Sequence, residues 1–595
     1  MTSNEHPTRI RHVVVASASV MAVLLYLDRF CISFVEMYIQ EDLRLTNTQT
    51  GWMLSAFFWT YALGQVPSGW LSDRFGSRLM LTLYVLTWSV FTGLSGAVSS
   101  FAALLVLRLG FGFGQAGAYP TASGMVSKWV PFSQRGTASG IIALGGRMGA
   151  FLALFVSGYL LVALTPWDTR TTLIPDDIMN GPLLCHELHT SAEITKPLDD
   201  LRQRCLAELS NGGRSIVDRY GRIYSNALTV ARKKMQSAGK NPDGAVPKVS
   251  PLAPADLQIL VDDFNTIIQA RRFFRLNDIE AKGVSVEKEA QRLLKQSTEP
   301  DDRQVQRANR LVVEALHRNC VKKLYCAGWR FMMFVYASLG IFVAALIWRN
   351  CHTTPTEHPK CNLAEAALVS GSKVMDPPKK VSGVPLRELL ASRSMWCSCV
   401  SQWFTNIGWG FLMTWAPRYY TSVHNVSIEQ RALLASIPPL LGWAGMLAGG
   451  ALTDVAVRRF GLRWGRALPI SLSRFVAMGA YIICLFDPSA AVCAVLFSTV
   501  AFATALGAAA AWAFTQDVGG RHVGSVLGWG NMWGNLGMAI TPPLLIWVVG
   551  DAENWNNAFM VCAAAFFLSG VSAMGINAAI PIVPIEDDCM NESVG

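Results

Sequence analysis

Apolar residues along this chain gather in runs of about twenty, each closed by a short polar or basic stretch. The runs fall at 13–35, 51–71, 79–98, 101–126, 136–164 and 328–348, then at 395–415, 431–453, 468–485, 490–514, 523–549 and 555–580. About twenty apolar residues in a helix cross the hydrocarbon of a bilayer. The pattern therefore predicts an all-α membrane protein with about 12 transmembrane helices in two six-helix, pseudo-symmetric halves. One polar interval, 165–327, is far longer than the rest. Within it Leu257, Leu260, Val261, Phe264, Ile267 and Ile268 recur at helical period after Pro254 and Asp256, and so do Ile216, Val217, Tyr220, Ile223 and Tyr224. A Pro-containing break, 241–255, lies between these two helical patterns.

The predicted organisation is an N-terminal half, 1–164, with spans 1–5; a helical extracytoplasmic insert, 165–327; span 6, 328–348; and a cytoplasmic inter-half loop, 349–393. A C-terminal half, 394–580, with spans 7–12, and a cytoplasmic tail, 581–595, complete it. Basic residues in short loops orient the spans. Arg74 and Arg78, Lys128 and Arg135, and Arg458, Arg459, Arg463 and Arg466 fall in alternate loops, which puts both termini in the cytoplasm. Location in the cell (inner) membrane follows. The insert is then outside, where thiols oxidise. Its four cysteines, Cys185, Cys205, Cys320 and Cys326, are candidates for two disulfides in any of three connectivities.

Composition agrees with the spans. Hydrophobic residues make up 51% of the 595 and charged residues only 15%, against about 25% charged in soluble domains. The net charge of +10 would suggest nucleic acid in a soluble protein. Here it fits basic cytoplasmic loops, and no nucleic-acid motif is present. The first apolar run is too long for a cleaved signal peptide and lacks its small-residue cleavage site. No cofactor, nucleophile–base set or metal motif appears, so the chain reads as no enzyme. Cys185-His-Glu-Leu-His189 lacks the H-E-x-x-H spacing of a zinc helix.

The chemistry lies in charged residues inside apolar runs. Arg108 opens R-L-G-F-G-F-G-Q-A-G-A-Y-P with no acid beside it. A charge at the centre of a membrane helix costs about 2.5–3.5 kcal/mol on insertion scales, so it persists where it faces protein, a water-filled cavity or a ligand. Gln115 is two turns on and shares its face with Arg108 and Gly112. The string G-F-G-Q-A-G from Gly112 fits a dinucleotide fingerprint, but it lies inside a helix rather than after a strand, and is discarded. After span 2 comes Gly69-Trp-Leu-Ser-Asp73-Arg74-Phe-Gly76-Ser-Arg78, with a weaker copy around Asp454 after span 8. An acid positioned to take a bond from a neighbouring helix end, with a glycine turn and arginines at the inner face, reads as a gate latch.

With these motifs the chain resembles the major facilitator superfamily, and within it the anion:cation symporter branch of hexuronate, galactonate and glucarate permeases and sialin-type carriers. The matching text is Tyr26-Leu-Asp28-Arg29, then Phe57-Phe-Trp-Thr-Tyr61 through Gly69, then Arg108 to Pro120. It continues with Trp129-Val-Pro131, Asn406, Trp415-Ala-Pro417-Arg-Tyr-Tyr420 and, in span 11, Gly528, Asn531 and Gly534-Asn535. The likeness leaves out 165–327. It implies a secondary carrier that moves a small organic anion, often a sugar acid, by alternating access and commonly with protons or another coupling ion.

The residue types agree, since the planar fork of arginine binds both oxygens of a carboxylate. Arg29, Arg108 and Arg147 are the cationic candidates. Tyr61, Gln115, Gln402, Asn406, Asn531 and Asn535 would bond substrate hydroxyls, and Asp28 is the proton-carrying candidate. Where the branch has a coupling glutamate this chain has Gln115, which takes up no proton, and Arg147 adds positive charge. Both changes favour tighter binding of the anion, or a more highly charged anion, and fewer protons per cycle, with Glu36 as a replacement carrier. Two other readings stand beside this one: an organic-anion or organophosphate exchanger without proton coupling, and a transporter-like receptor that binds ligand and signals. A partner for the insert is left open.

Overall fold

The apolar runs become helices whose starts are set by residues the sequence supplies. Thr46 opens the second helix with a capping box: its hydroxyl accepts from Gln49 N at 3.2 Å, and the Gln49 side chain accepts from Thr46 N at 2.9 Å. Ser427 and Gln430 repeat the device, while Ser100 and Ser392 cap with their hydroxyls alone. The structure is a computed structural model and describes residues 6–131, 134–190, 197–237, 247, 249–271, 273–281, 286–295, 301–370, 386–519, 523–550 and 554–582.

In chain order the first long helices are α1 (Ile10–Leu43), α2 (Asn47–Phe75), α3 (Ser77–Ser95), α4 (Phe101–Ala116), α5 (Ala118–Trp129) and α6 (Arg135–Ala163). Shorter helices follow: α7 (Gly181–Thr190), α8 (Pro197–Glu208), α9 (Asn211–Ser237), α10 (Pro254–Gln269), α11 (Leu276–Ala281), α12 (Lys288–Lys295) and α13 (Asp302–Leu316). Then come α14 (Gly328–Asn350), α15 (Leu363–Ser370), α16 (Leu386–Ala391), α17 (Arg393–Thr414), α18 (Ala416–Ser422), α19 (Ile428–Cys484), α20 (Ala490–Gly519), α21 (Val523–Val549) and α22 (Trp555–Met574). Among the described residues the only β pairing is an isolated bridge between Ile178 and Val321. Eight stretches there are long and apolar enough to cross a membrane.

Two predicted spans differ in detail. The run 101–126 is two helices, α4 and α5, meeting at Gly117. Pro120 in the first turn of α5 has no N–H to give Ala116, so the hydrogen-bond ladder breaks there. The runs 431–453 and 468–485 are joined as α19, in which only Gly461 leaves helical geometry, with φ 74°. A Cβ on Gly465 would lie 2.4 Å from Val457 Cα, whereas eight residues of straight helix span ~12 Å. The chain therefore doubles back at Gly461, a left-handed position that glycine adopts without strain.

Side chains set how the long helices assemble. Helix α1 packs on α6, α2 on α4, and α3 on α14; α17 packs on α21 and α22, and α19 on α20. The first group meets the second along α2–α21 and α6–α19. At the end carrying the α1–α2 junction, Ser55 Oγ donates to Ala539 O, and Arg418 of α18 donates to Gln40 Oε1 at 2.6 Å and Asn47 Oδ1 at 3.1 Å. At the opposite end, Glu365 of α15 accepts from Ile10 N at 2.9 Å and Arg11 N at 3.0 Å, filling the start of α1. In α10 the residues Leu260, Val261, Phe264, Ile267 and Ile268 are buried, as their spacing predicts. In α9 Ile223 is exposed, and the rest of its apolar set is buried or half-buried.

Candidate functional site

Arg29 is held in the middle of α1 without a carboxylate. Its Nε donates to Gln115 Oε1 at 3.2 Å, and Gln115 Nε2 donates on to Leu25 O at 2.9 Å. The guanidinium sits over three rings, Tyr61 at 4.4 Å, Tyr26 at 4.8 Å and Phe57 at 4.8 Å. Such cation–π contacts stabilise a desolvated charge by about 0.5–2 kcal/mol each. Nη2 of Arg29 is buried and has no hydrogen-bond partner. A fixed planar cation with an idle donor is the arrangement that accepts a carboxylate oxygen.

Arg108 shares the Phe57 ring with Arg29, at 5.7 Å, lies over Phe111 at 4.8 Å, and also has an unpartnered Nε. One turn on, at Gly112, the α2 backbone comes so close that a Cβ would stand 2.3 Å from Phe57 O. Arg108 is only 5% exposed. Arg147 is half-buried one position after Gly146, and a Cβ on Gly146 would meet the Tyr119 hydroxyl at 2.6 Å. Tyr119 in turn packs edge-on to Tyr26 at 6.2 Å. A chain of rings thus connects Arg29 to the neighbourhood of Arg147. Among the described residues no ion pair joins Arg29, Arg108 or Arg147 to an acid.

Asp28, adjacent to Arg29 in sequence, points elsewhere. Its Oδ2 accepts from Trp88 Nε1 of α3 at 3.1 Å, and Oδ1 has no partner. The 100° step between neighbours on a helix separates the two side chains. Glu36, two turns on, lies 3.7 Å from Arg418.

The amides of the C-terminal helices form a second group. Gln402 and Asn406 lie on α17 against α21, where a Cβ on Gly530 would meet Gln402 Nε2 at 2.7 Å and one on Gly534 would meet Asn406 Nδ2 at 2.9 Å. Asn406 Nδ2 donates to Gln402 O and Asn535 Nδ2 to Asn531 O, each one helical turn back. All four are half-buried. The structure brings Arg29, Tyr61 and Gln115 into direct contact and Gln402 and Asn406 into another group. Phe30 and Trp409, with ring centroids 6.1 Å apart, touch across the two groups. Asp28 belongs to neither.

Gly76 turns the chain between α2 and α3 with φ 88°. Arg78 Nε donates to Trp348 O at 2.8 Å, Arg74 is exposed near Trp70, and Asp454 is exposed. Gly69 and Asp73 belong to α2, but the packing of Gly69 and the side chain of Asp73 lie outside the described residues, as does the tail from 583.

The disulfide expectation is corrected: Cys185, Cys205, Cys320 and Cys326 all carry free, buried thiols. Cys326 donates to Glu41 at 3.3 Å, beside α1, while Cys185 and Cys205 are packed within the helices of 165–327. In the Cys185–His189 string the polar side chains diverge. His186 bonds Ser225, His189 bonds Asp218, and Glu187 bonds Arg202 and His317.

Tyr26 and Phe57 join Tyr61 in framing the Arg29 guanidinium; Tyr26 stands one helical turn before Arg29, whereas Phe57 lies on α2 and carries no spacing signal toward either arginine. Arg418, Arg431 and Arg474 are further buried arginines, each visible in the sequence as a charge in or beside an apolar run.

The family model described as Major Facilitator Superfamily matches residues 18–169 and 324–542. The Bacillus subtilis protein named Probable galactarate/D-glucarate transporter GudP is 22% identical over 573 residues, covering 94% of this chain and 90% of that one. The hexuronate transporter of the same organism is 34% identical over 152 residues, 26% of this chain and 36% of its own. Among solved structures, a bacterial homologue of the human lysosomal transporter Spinster superposes with a TM-score of 0.56 at 17% identity, covering 96% of this chain and 98% of that one.

Proposed function

The chain belongs to the Major Facilitator Superfamily, and from that premise we propose that it is a secondary active carrier for a small organic anion, a sugar acid or related carboxylate. Its relatives are transporters rather than enzymes. The observation that carries the substrate class is Arg29: a buried guanidinium fixed by Gln115 and three rings, with Nη2 unpartnered and no acid paired to it. Arg108 and Arg147 add positive charge on the same side. Gln402, Asn406, Asn531 and Asn535 supply hydroxyl-bonding amides from the other. The names of the relatives, galactarate, D-glucarate and hexuronate transporters, fit a ligand with carboxylates and hydroxyls.

The architecture in this reading is twelve spans. The eight long apolar stretches are joined by α2, α3 and α17, and α19 counts twice. The spans form two six-helix halves that rock about the site, with both termini cytoplasmic in the cell membrane. Residues 165–327 are the outer insert and 349–393 the cytoplasmic inter-half loop. Asp28, with one free carboxylate oxygen, is the proton carrier, and Asp73, Arg74, Arg78 and Asp454 form the inner latch.

The test is uptake of labelled galactarate into liposomes holding the purified protein. Arg29→Gln is expected to lower kcat/KM by about 10- to 150-fold, from about 1.5–3 kcal/mol for a charge-assisted bond, with Arg29→Lys between. Unchanged uptake by Arg29→Gln overturns the assignment.

A second reading, exchange of anions without protons, is favoured by Gln115. Both ends of its amide are used, on Arg29 and on Leu25 O, so this position offers no proton site. Substrate swap that proceeds without acidifying the lumen supports exchange.

A further inference from the structure

The 165–327 region is joined at its end to the first group of membrane helices and reaches across to the second. Near that end, Lys322 Nζ lies 3.0 Å from Asp42 Oδ1, and Lys323 pairs with Glu41, both acids on α1. Lys323 N also donates to Glu41 Oε2 at 3.0 Å. These bonds fasten the region to the α1 end. On the other side, Glu287 Oε2 accepts from Ile428 N at 2.9 Å, at the first turn of α19. Arg318 Nη2 donates to Asn425 O at 3.1 Å, just before that turn. The first turn of a helix presents N–H groups without intrahelical partners, and a carboxyl oxygen accepts from them whether or not the carboxyl is ionised.

A narrow cavity lies between the three parts, lined by Tyr38, Glu287, Arg318, Lys323, Thr421 and Arg431. Beneath it Arg431 Nη2 donates to Tyr38 OH at 3.2 Å and Nη1 to Thr421 Oγ1 at 3.1 Å. The membrane helices are thus in contact with each other directly under the place where the extra region bridges them.

We propose that residues 165–327 act as an outer clasp, in which Glu287 on the α19 start and Lys322 and Lys323 on α1 hold the two halves together, so that Glu287 must leave Ile428 before the outer mouth opens. The clasp rests on the rocking-halves reading above and assigns a gating function to the segment that the family match leaves out, since that match breaks between 169 and 324.

The clasp is sensitive to pH in a definite direction. Burial, with Glu429 beside it, pushes the Glu287 carboxyl from 4.5 up to about 7, against the pull of the Ile428 amide, Arg431 and Arg318. From α1 the facing group is Tyr38, and Tyr325 also lies in its field. Glu314 and Lys323 complete the charged lining. Released into water the carboxyl returns to its ordinary value. The closed clasp therefore binds the proton more tightly than the open one, so acid holds it shut. That advantage is full below 4.5 and is lost as pH rises through about 7.

The test is hydrogen–deuterium exchange on the full chain in lipid nanodiscs without substrate, read on the peptide spanning 424–432 and corrected for the intrinsic pH effect. Wild-type exchange is expected to rise about tenfold from about pH 6 to about pH 8, the shift that one carboxyl moving between these two values gives. Glu287→Gln keeps an acceptor but no charge and should stay slow and flat across that range. Glu287→Ala should be fast at both values. A flat wild type, a Glu287→Gln rise equal to wild type, or a Glu287→Ala rate equal to wild type at about pH 6 each overturns the clasp. Galactarate uptake by the same preparation is read separately. Absent uptake with the expected exchange pattern removes the substrate reading and leaves the clasp, and the reverse result removes the clasp alone.

Discussion

Gln115→Glu replaces one amide nitrogen by oxygen and tests how the cationic site works. In the structure the Gln115 carbonyl accepts from Arg29 Nε at 3.2 Å and its NH2 donates to Leu25 O at 2.9 Å. A protonated carboxyl at this position reproduces both bonds, with its hydroxyl donating to Leu25 O. An ionised one keeps the bond to Arg29, makes it an ion pair, and loses the donor. Its second oxygen would then face Leu25 O acceptor to acceptor and must turn away, while Leu25 O keeps the N–H it accepts from four residues on in the helix.

The consequence falls on the ligand. Arg29 is then neutralised internally, and an incoming carboxylate competes with the introduced one for it. A charge-assisted bond contributes about 1.5–3 kcal/mol, so galactarate affinity should fall on the order of 10- to 150-fold when the side chain at position 115 is ionised. It should recover as the buffer is acidified and that side chain takes up a proton. Wild type, with no acid there, should lack that recovery. The assay is equilibrium binding of labelled galactarate to purified protein across a pH series, with thermal midpoints recorded in parallel to show that the variant is folded. Equal affinity of the two proteins at every pH, with equal midpoints, refutes the idea that Arg29 grips the anion.

Two further expectations concern the scaffold. Gly112→Ala places a Cβ 2.3 Å from Phe57 O and from Thr60 Oγ1, so α2 and α4 must separate. The overpacking cost is about 1–3 kcal/mol, read as a lowered thermal midpoint with galactarate affinity weakened alongside. An unchanged midpoint contradicts the close approach. In the 165–327 region burial would raise the Glu187 carboxyl, but His317 at 2.8 Å and Arg202 at 3.1 Å outweigh it and hold the carboxyl below 4.5. Its contribution to stability is present above that value and lost as pH falls through the depressed one. Hydrogen exchange in α7 and α13 should therefore rise on acidification in wild type and be raised at neutral pH in Glu187→Gln; slow neutral exchange in that variant speaks against the network.

The membrane character and the number of apolar runs are legible in the sequence, because burial in hydrocarbon demands about twenty apolar residues in succession and leaves little freedom. The charged residues inside those runs are legible for the same reason, since each costs several kcal/mol without a compensating environment. Arg29 and Arg108 therefore stand out from the chain by residue type alone, and Gln115 by its place on the Arg108 face. Their surroundings do not. That Asp28 meets Trp88 depends on the rotation of α1 against α3, which a local pattern does not encode. The Tyr26, Phe57 and Tyr61 cradle depends on how closely α2 approaches α1 and α4. The break of 101–126 at Gly117 follows from Pro120 and is readable. The doubling back between 453 and 468 is announced by Arg458, Arg459, Arg463 and Arg466, but its exact place at Gly461 is not, because helical geometry runs up to that one left-handed residue and resumes directly after it. An even number of cysteines in 165–327 suggests bridges, yet pairing is a matter of Cα separation and thiol direction, which only the packed helices fix. The reach of Glu287 to Ile428 spans 141 positions. A contact at that separation is set by the docking of whole elements, so tertiary structure alone decided it.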